Sequence, residues 1–324
     1  MNVLMMCPAN VVTGGTESIH EFASKLNENE DVNVKILYFR CRGTNPQPDE
    51  YKEYNVDYVT NLLPGYKDII IFPEIWANEV NNPKYADCLK VVHWLGVDVY
   101  YWNNPVSEYN KFLDQKNVLH LTQMQYGTDN LLKLGVNPKL IYHISDVPNK
   151  IFFEEYREVP RNNVVLFNPN LSKLTDFQRT VMGIARKEGL EFRPLENLTR
   201  EQMAQTMRSA KLYIDFGVFS GRERIPREAA LCGCCVITSK SGCAGYFNDV
   251  ALSDKWKFET VPENIPKIID TMKYVLANYY DIKSEFSTYK QSLIKDRERL
   301  PKDCKKLAKV FATLPSYLRN LNEI

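Results

Sequence analysis

No stretch of this sequence approaches the ~20 consecutive apolar residues that a membrane-spanning helix requires. Its greasiest patches, such as DIIIF at 68–72, have strand length. An excess of either charge is missing too: 41 Lys and Arg face 40 Asp and Glu over 324 residues, a net charge of +1. That balance excludes a global attraction to nucleic acid or to an acidic membrane, so any anion site has to be local. The opening residues MNVLMMCPANVVTGG lack the basic flank and small-residue cleavage site of a secretory signal, and a cytoplasmic protein is expected. The paired C-x-x-C spacing of zinc sites is absent around Cys232, Cys234, Cys235 and Cys243, although these four lie close in sequence. Cys234 and Cys235 open an apolar strand, where cysteine behaves as a small hydrophobe. No metal is expected, and all eight thiols are read as reduced. With export unexpected, the sequons at Asn170 and Asn197 are read as accidental. Repeats and low-complexity segments are also lacking.

What is present is alternation. Strands are expected at 2–7, 34–39, 68–72, 89–95, 117–122 and 139–144, then in a second series at 163–168, 190–195, 211–216 and 234–239. Continuous apolar runs separated by helical segments imply parallel sheets buried on both faces. Helices are expected at 16–28, at 175–189 from a capping Thr175 to Gly189, and at 198–210, where Thr199 and Gln202 have capping-box spacing. From about 262 the chain turns helical and charged, with breaks expected at Pro301 and Pro315. The rhythm runs twice across a seam near 145–162. It predicts an α/β protein of two facing Rossmann-like domains with parallel sheets and a cleft between them. The first is 1–150, with a C-terminal helix of about 305–324 packing back on it; the second is 160–300. Ligands of open α/β sheets sit beyond the carboxyl ends of the strands, so the chemistry is sought in the loops that follow them.

Two such loops stand out. After the first strand, Gly14 and Gly15 precede a helix, where the backbone can approach a ligand and free N–H groups carry partial positive charge. The G-x-G-x-x-G dinucleotide fingerprint is absent, and a tight strand-to-helix turn fits equally well. The second loop opens SGRERIPREAALCGCCVIT, residues 220–238. Pro226 suits the first turn of a helix and Gly233 can cap its end. Arg222, Arg224 and Arg227 gather at that helix start, and forked guanidiniums bind phosphate oxygens bidentately. Glu228, one turn in, can accept hydrogen bonds from ribose hydroxyls. A solvated helix start with an Arg227–Glu223 pair is the plainer alternative.

This stretch resembles the C-terminal half of GT-B glycosyltransferases that use nucleotide-sugar donors, whose paired-glutamate motif reads E-G-F-G-x-x-x-x-E-A-x-x-x-G before an apolar strand. Gly221, Glu228, Ala229, Gly233 and the strand match it. The first glutamate falls on Ser220, with Glu223 three residues away as a substitute. The resemblance implies a GT-B fold, a nucleoside-diphosphate-sugar as donor substrate, and no cofactor. It places Lys173 of VLFNPNLSK on the diphosphate, backbone groups near Leu195 and Asn197 on the nucleobase, and the 238–249 loop before the transferred sugar. Gly14 and Gly15 would approach donor phosphates or acceptor. Such an enzyme needs no metal, because arginine, lysine and helix charge stabilise the departing diphosphate, which agrees with the lack of a D-x-D cluster.

Among His20, His93, His120 and His143, His93 stands near a strand end with Asp98 in the loop beyond. The two would serve as base and orienter in an inverting reaction, or position the acceptor in a retaining one; a hydrogen-bonded core histidine fits VVHWL as well. His120 and His143 are read as structural. Gln123 and Tyr126 are candidate acceptor contacts, and Tyr100, Tyr101 and Trp102 are either stacking platforms or packing. The expectation is a hexosyltransferase acting on a glycan or lipid-linked saccharide. A nucleotide-sugar epimerase of the same fold and a non-catalytic nucleotide-sugar-binding protein, suggested by Ser220, are the alternatives. The basic helix near 305–319 either touches a membrane carrying the acceptor or crosses back onto the N-terminal domain.

Overall fold

Both expected sheets form, and every strand pairing in them is parallel. The computed structural model describes all residues except 40, 42–44, 63–65, 67, 104–117, 158, 171–173 and 322–324, with backbone alone for 102–103 and 314–321. The chain divides into two compact units, one of Met1–Val147 with Asp296–Ile324 and one of Pro148–Lys295.

The first unit contains β1 (Asn2–Pro8), α1 (Gly14–Asn27), β2 (Asn33–Phe39), β3 (Tyr58–Val59), β4 (Ile69–Pro73), β5 (Leu89–Trp94), α2 (Val97–Asn103), β6 (Val118–Thr122), α3 (Gln125–Lys133) and β7 (Ile141–His143). Its sheet runs β3-β2-β1-β4-β5-β6-β7, so the strand order reverses between β1 and β4. The apolar runs are buried because helices cover both faces; each residue of β4 and β6 is buried. The helix expected from 16 starts two residues earlier. Thr13 is its N-cap: the Thr16 N–H donates to Thr13 Oγ1 at 3.3 Å and the Thr13 N–H to Thr16 Oγ1 at 2.9 Å. The glycine pair therefore forms the first turn of α1 rather than the approach to it. Ile19, Phe22, Ala23 and Leu26 are buried along one stripe of that helix, and each large one contributes on the order of 1.5–3 kcal/mol.

The second unit contains β8 (Asn162–Phe167), α4 (Asp176–Lys187), β9 (Glu191–Pro194), α5 (Arg200–Ser209), β10 (Ala210–Asp215), α6 (Arg224–Leu231), β11 (Cys235–Ser239), β12 (Lys257–Phe258) and α7 (Ile265–Ile282), with the first part of α8 (Ser287–Leu321). Its sheet runs β12-β11-β10-β8-β9, reversing between β8 and β10. With the right-handed crossovers that parallel strands adopt, this order assigns α4 to one face and α5 and α6 to the other. The expected caps are in place: Thr175 starts α4, and Thr199 and Gln202 form a capping box at α5.

The breaks expected in the last helix do not occur, and α8 continues through Pro301 and Pro315. Pro301 removes one backbone bond, but it and Arg297 are both exposed, so water can replace the lost donor. Beside it Leu300, Cys304, Leu307, Ala308 and Phe311 are buried at helical spacing, and their burial outweighs the one missing bond. Within the first unit, Asp303 Oδ2 accepts the Ser145 N–H at 3.1 Å and its hydroxyl at 2.7 Å.

Candidate functional site

In the second unit the reversal of strand order marks the carboxyl ends of β8 and β10 as the place where a ligand fits. Asp215 ends β10. Its Oδ1 accepts the Gly217 N–H at 2.9 Å and its Oδ2 the Tyr213 hydroxyl at 3.1 Å. The loop that follows is laced to the loop after β11. The Cys243 N–H donates to Phe219 O at 2.9 Å, its thiol to Gly221 O at 2.6 Å, Arg222 Nε to Asp249 O at 3.2 Å, and the Ser239 hydroxyl to Gly217 O at 2.8 Å. Burial pushes the Cys243 thiol far up, so it stays a donor. Gly242 makes the lacing possible. Its φ is +55°, and a Cβ there would stand 2.0 Å from Phe219 O. Lys257 Nζ anchors the far end of the loop on Val250 O at 2.8 Å.

The three arginines do different things. Arg227 is only 1% exposed, and its Nε and Nη2 donate to Glu223 O at 3.2 Å and Arg222 O at 2.7 Å. It braces the loop from within. The expected clamp, with all its forks open to a phosphate, does not describe it, because two donors are already bound to main-chain carbonyls. Arg222 and Arg224 are buried at the start of α6, and Glu228 is buried one turn further on. Glu223 is the N-cap residue, with its N–H on Gly221 O at 3.0 Å and no side-chain capping bond. Ser220 is buried in the same loop. Beneath them the Tyr213 hydroxyl is held protonated by burial and then by the charges of Asp215, Glu223 and Glu228. Sequence reading missed Asp215 and Asp249; an acid closing the apolar strand KLYID was the available signal for the first. The Leu195 N–H donates to Phe167 O at 3.0 Å, and exposed Asn197 holds a left-handed φ of 54°, which asparagine tolerates. Lys173 lies outside the described residues.

In the first unit the reversal falls at β1 and β4. The N–H groups of Gly14 and Gly15 make no hydrogen bond among the described residues. A Cβ at Gly15 would meet only ordinary contacts, the nearest Leu95 Cδ1 at 3.7 Å. Glu74, buried just past β4, accepts the Leu95 N–H at 3.2 Å on Oε2, and burial pushes its carboxyl up to about 8. No motif pointed to it.

His93 and Asp98, expected to act together, share no hydrogen bond. Gln123 Nε2 donates to His93 Nε2 at 3.1 Å and to Ser18 Oγ at 3.3 Å, and Ser18 donates onward to Asp146. The ring proton therefore sits on Nδ1, which has no partner. Burial lowers the His93 pKa to about 4 against the opposing charge of Asp146. Asp98 instead accepts the Tyr126 hydroxyl at 2.9 Å, and burial raises its pKa. His93 and Gln123 are 1% and 3% exposed and face an enclosed pocket with Ser18, Phe22 and Asp146. His20 bridges Thr16 O and Tyr38, and His120 accepts the Trp94 indole N–H at 3.1 Å. Tyr100 is packing: it is fully buried, with its hydroxyl on Asn78. Among the described residues no three His, Cys, Asp or Glu are placed to hold a metal, and no helix is long and apolar enough to cross a membrane.

No protein-family model matches the chain, and neither does any curated protein. Solved structures do. A glycosyltransferase from Rickettsia africae is 13% identical with a TM-score of 0.69, the likeness covering 97% of this chain and 98% of that one. Anabaena Alr3699/HepE in complex with UDP-glucose is 13% identical with a TM-score of 0.64 over 98% and 100%. WaaG, a glycosyltransferase involved in lipopolysaccharide biosynthesis, is 11% identical with a TM-score of 0.58 over 96% and 99%. The fold is therefore that of the GT-B glycosyltransferases, and at these identities the likeness is one of fold.

Proposed function

We propose that the protein is a metal-independent glycosyltransferase that moves a hexose-type sugar from a nucleoside-diphosphate donor to a glycan or lipid-linked saccharide. The observation that carries this reading is the laced pair of loops at the β8/β10 reversal, which brings Arg222 and Arg224 to the start of α6 with Glu228 one turn later. In the reaction the acceptor hydroxyl oxygen bonds to the anomeric carbon, whose bond to the diphosphate breaks; the electron pair leaves with the nucleoside diphosphate, and the hydroxyl proton passes to the departing diphosphate or to solvent. Arg222, Arg224 and Lys173 stabilise that leaving charge, Arg227 fixes the loop that presents them, and Glu228 holds the ribose. Leu195 and Asn197 flank the nucleobase, Gly221 keeps the backbone close to the donor, and Glu223 stands in for the motif glutamate that Ser220 replaces. Gly14 and Gly15 offer free N–H groups to an anion. His93, with Nε2 occupied and a pKa near about 4, is suited to positioning rather than to taking a proton at neutral pH. Contact of α8 with an acceptor-bearing membrane would be electrostatic, since its apolar stripe is buried and Lys302, Lys305, Lys306 and Lys309 are exposed.

The test is release of nucleoside diphosphate from a panel of UDP-, GDP- and ADP-sugars, with and without EDTA. Turnover that survives EDTA is expected, and Glu228→Ala should lower kcat/KM by about tenfold or more, the loss of a charged hydrogen bond. The buried serine at 220 favours a second reading, a nucleotide-sugar binder without catalysis. Tight donor binding with no turnover on any sugar would establish it instead.

A further inference from the structure

At the opposite end of the second unit's sheet lies a cavity of about 510 Å³ that the proposed chemistry does not use. It is lined by Phe152, Phe153, Tyr156, Leu231, Lys290 and Ile294, with Glu154 and Glu155 exposed at its edge. Its position follows from its bonds: the Tyr156 hydroxyl donates to Cys232 O at 2.6 Å, just before β11 begins. The volume falls within the range of small-molecule sites.

Three cations stand around it, and two are engaged. Arg161 donates to Met207 O, Ala210 O and Cys232 O, closing the carboxyl ends of α5 and α6. Arg208 donates to Ile151 O at 2.8 Å and stacks 4.7 Å over Tyr156. Lys290 is different. It is half-buried in the cavity wall and makes no hydrogen bond or ion pair with any described residue. Burial lowers its pKa; Cys232 opposes that shift, and the charges of Arg161 and Arg208 add to it. A partly desolvated ammonium with no partner among the described residues is costly to keep, and an anion delivered from outside would complete it. The apolar walls of Phe152, Phe153, Leu231 and Ile294 ask for an apolar body. The carboxylates of Glu154 and Glu155 at the edge discriminate against a multiply charged ligand such as a nucleoside diphosphate.

We infer that this cavity is an accessory ligand site, separate from the donor loops, for a small monocarboxylate with an apolar or aromatic body whose head pairs with Lys290. Fluorine NMR titration of the full chain with 4-fluorophenylacetate, and with neutral 4-fluorophenylacetamide as control, tests it. The acid is expected to bind saturably, the amide about tenfold more weakly, and Lys290→Met to weaken the acid about tenfold while leaving the amide unchanged, the loss of one charge-assisted pair. Lys290→Arg should retain binding. Because Lys290 has no partner among the described residues, Lys290→Met should unfold in urea at the wild-type midpoint or above it. The inference is overturned if neither probe binds, if acid and amide bind alike, if Lys290→Met binds the acid as the wild type does, or if saturating UDP displaces the acid.

Discussion

Arg222 and Arg227 are five residues apart and equally charged, yet they answer to different measurements. Arg227 spends two donors on main-chain carbonyls inside a nearly closed pocket. Arg227→Ala leaves both carbonyls and a cluster of carboxylates uncompensated, and should lower stability by about 3–5 kcal/mol in urea denaturation. Arg222→Ala should cost less stability and weaken UDP binding about tenfold or more in calorimetric titration. Spacing alone makes three equivalent arginines of this stretch. Which of them bends back onto its own loop depends on where the carbonyls of Arg222 and Glu223 point, and no local pattern encodes that. His93 was legible as a strand histidine and illegible as a partner of Gln123, thirty positions on. Its chemistry gives a pH test. The folded pKa of about 4 lies below the unfolded value near 6.5, so the unfolded chain takes the proton first. The contribution is complete above pH 6.5 and lost as pH falls towards 4, roughly 3 kcal/mol in all. His120, lowered to about 3 by burial, acts in the same direction. The urea midpoint should therefore fall steadily from pH 7 to pH 4, and more gently in His93→Gln.

At the scale of elements, the strands were readable because a parallel strand covered on both faces must be largely apolar, as Ile69–Pro73 is. The two-residue edge strands Tyr58–Val59 and Lys257–Phe258 are too short to leave such a run. Prolines misled in the other direction: Pro301 read as a stop, but the buried stripe of α8 outweighs one missing bond. The loop after β11 was recognisable by its glycines, but not the contact that requires one of them. Gly242→Ala puts a methyl group into Phe219 O and strains a left-handed backbone. The two laced loops should separate, with donor affinity falling at least about tenfold in the same titration while the rest of the unit keeps its far-UV circular dichroism.

For the molecule as a whole, the division into units was visible in the doubled strand–helix rhythm, because each series of strands needs its own covered sheet. The return of the C-terminal helix to the first unit was expected from about 305, and the unit draws that piece from residue 296 onward. Without that piece, Ser145 loses both bonds to Asp303, and the apolar positions that Leu300, Leu307 and Phe311 fill stand empty. A chain truncated after Lys295 should show the first unit unfolding at distinctly lower urea, by several kcal/mol, while Pro148–Lys295 keeps its own transition. Fluorescence of variants that keep Trp94 or Trp256 as the sole tryptophan separates the two transitions.

That discontinuity has a temporal side. On the ribosome the second unit is released as one unbroken segment and has every contact it needs as soon as it emerges. The first unit emerges earlier and must wait with an open seam while about 150 further residues are made, on the order of 10–30 s at common elongation rates. For that interval the first unit lacks Leu300, Leu307 and Phe311 and the Asp303 carboxylate that holds Ser145, which makes the N-terminal half, although synthesised first, the last to become protected from proteases and chaperones.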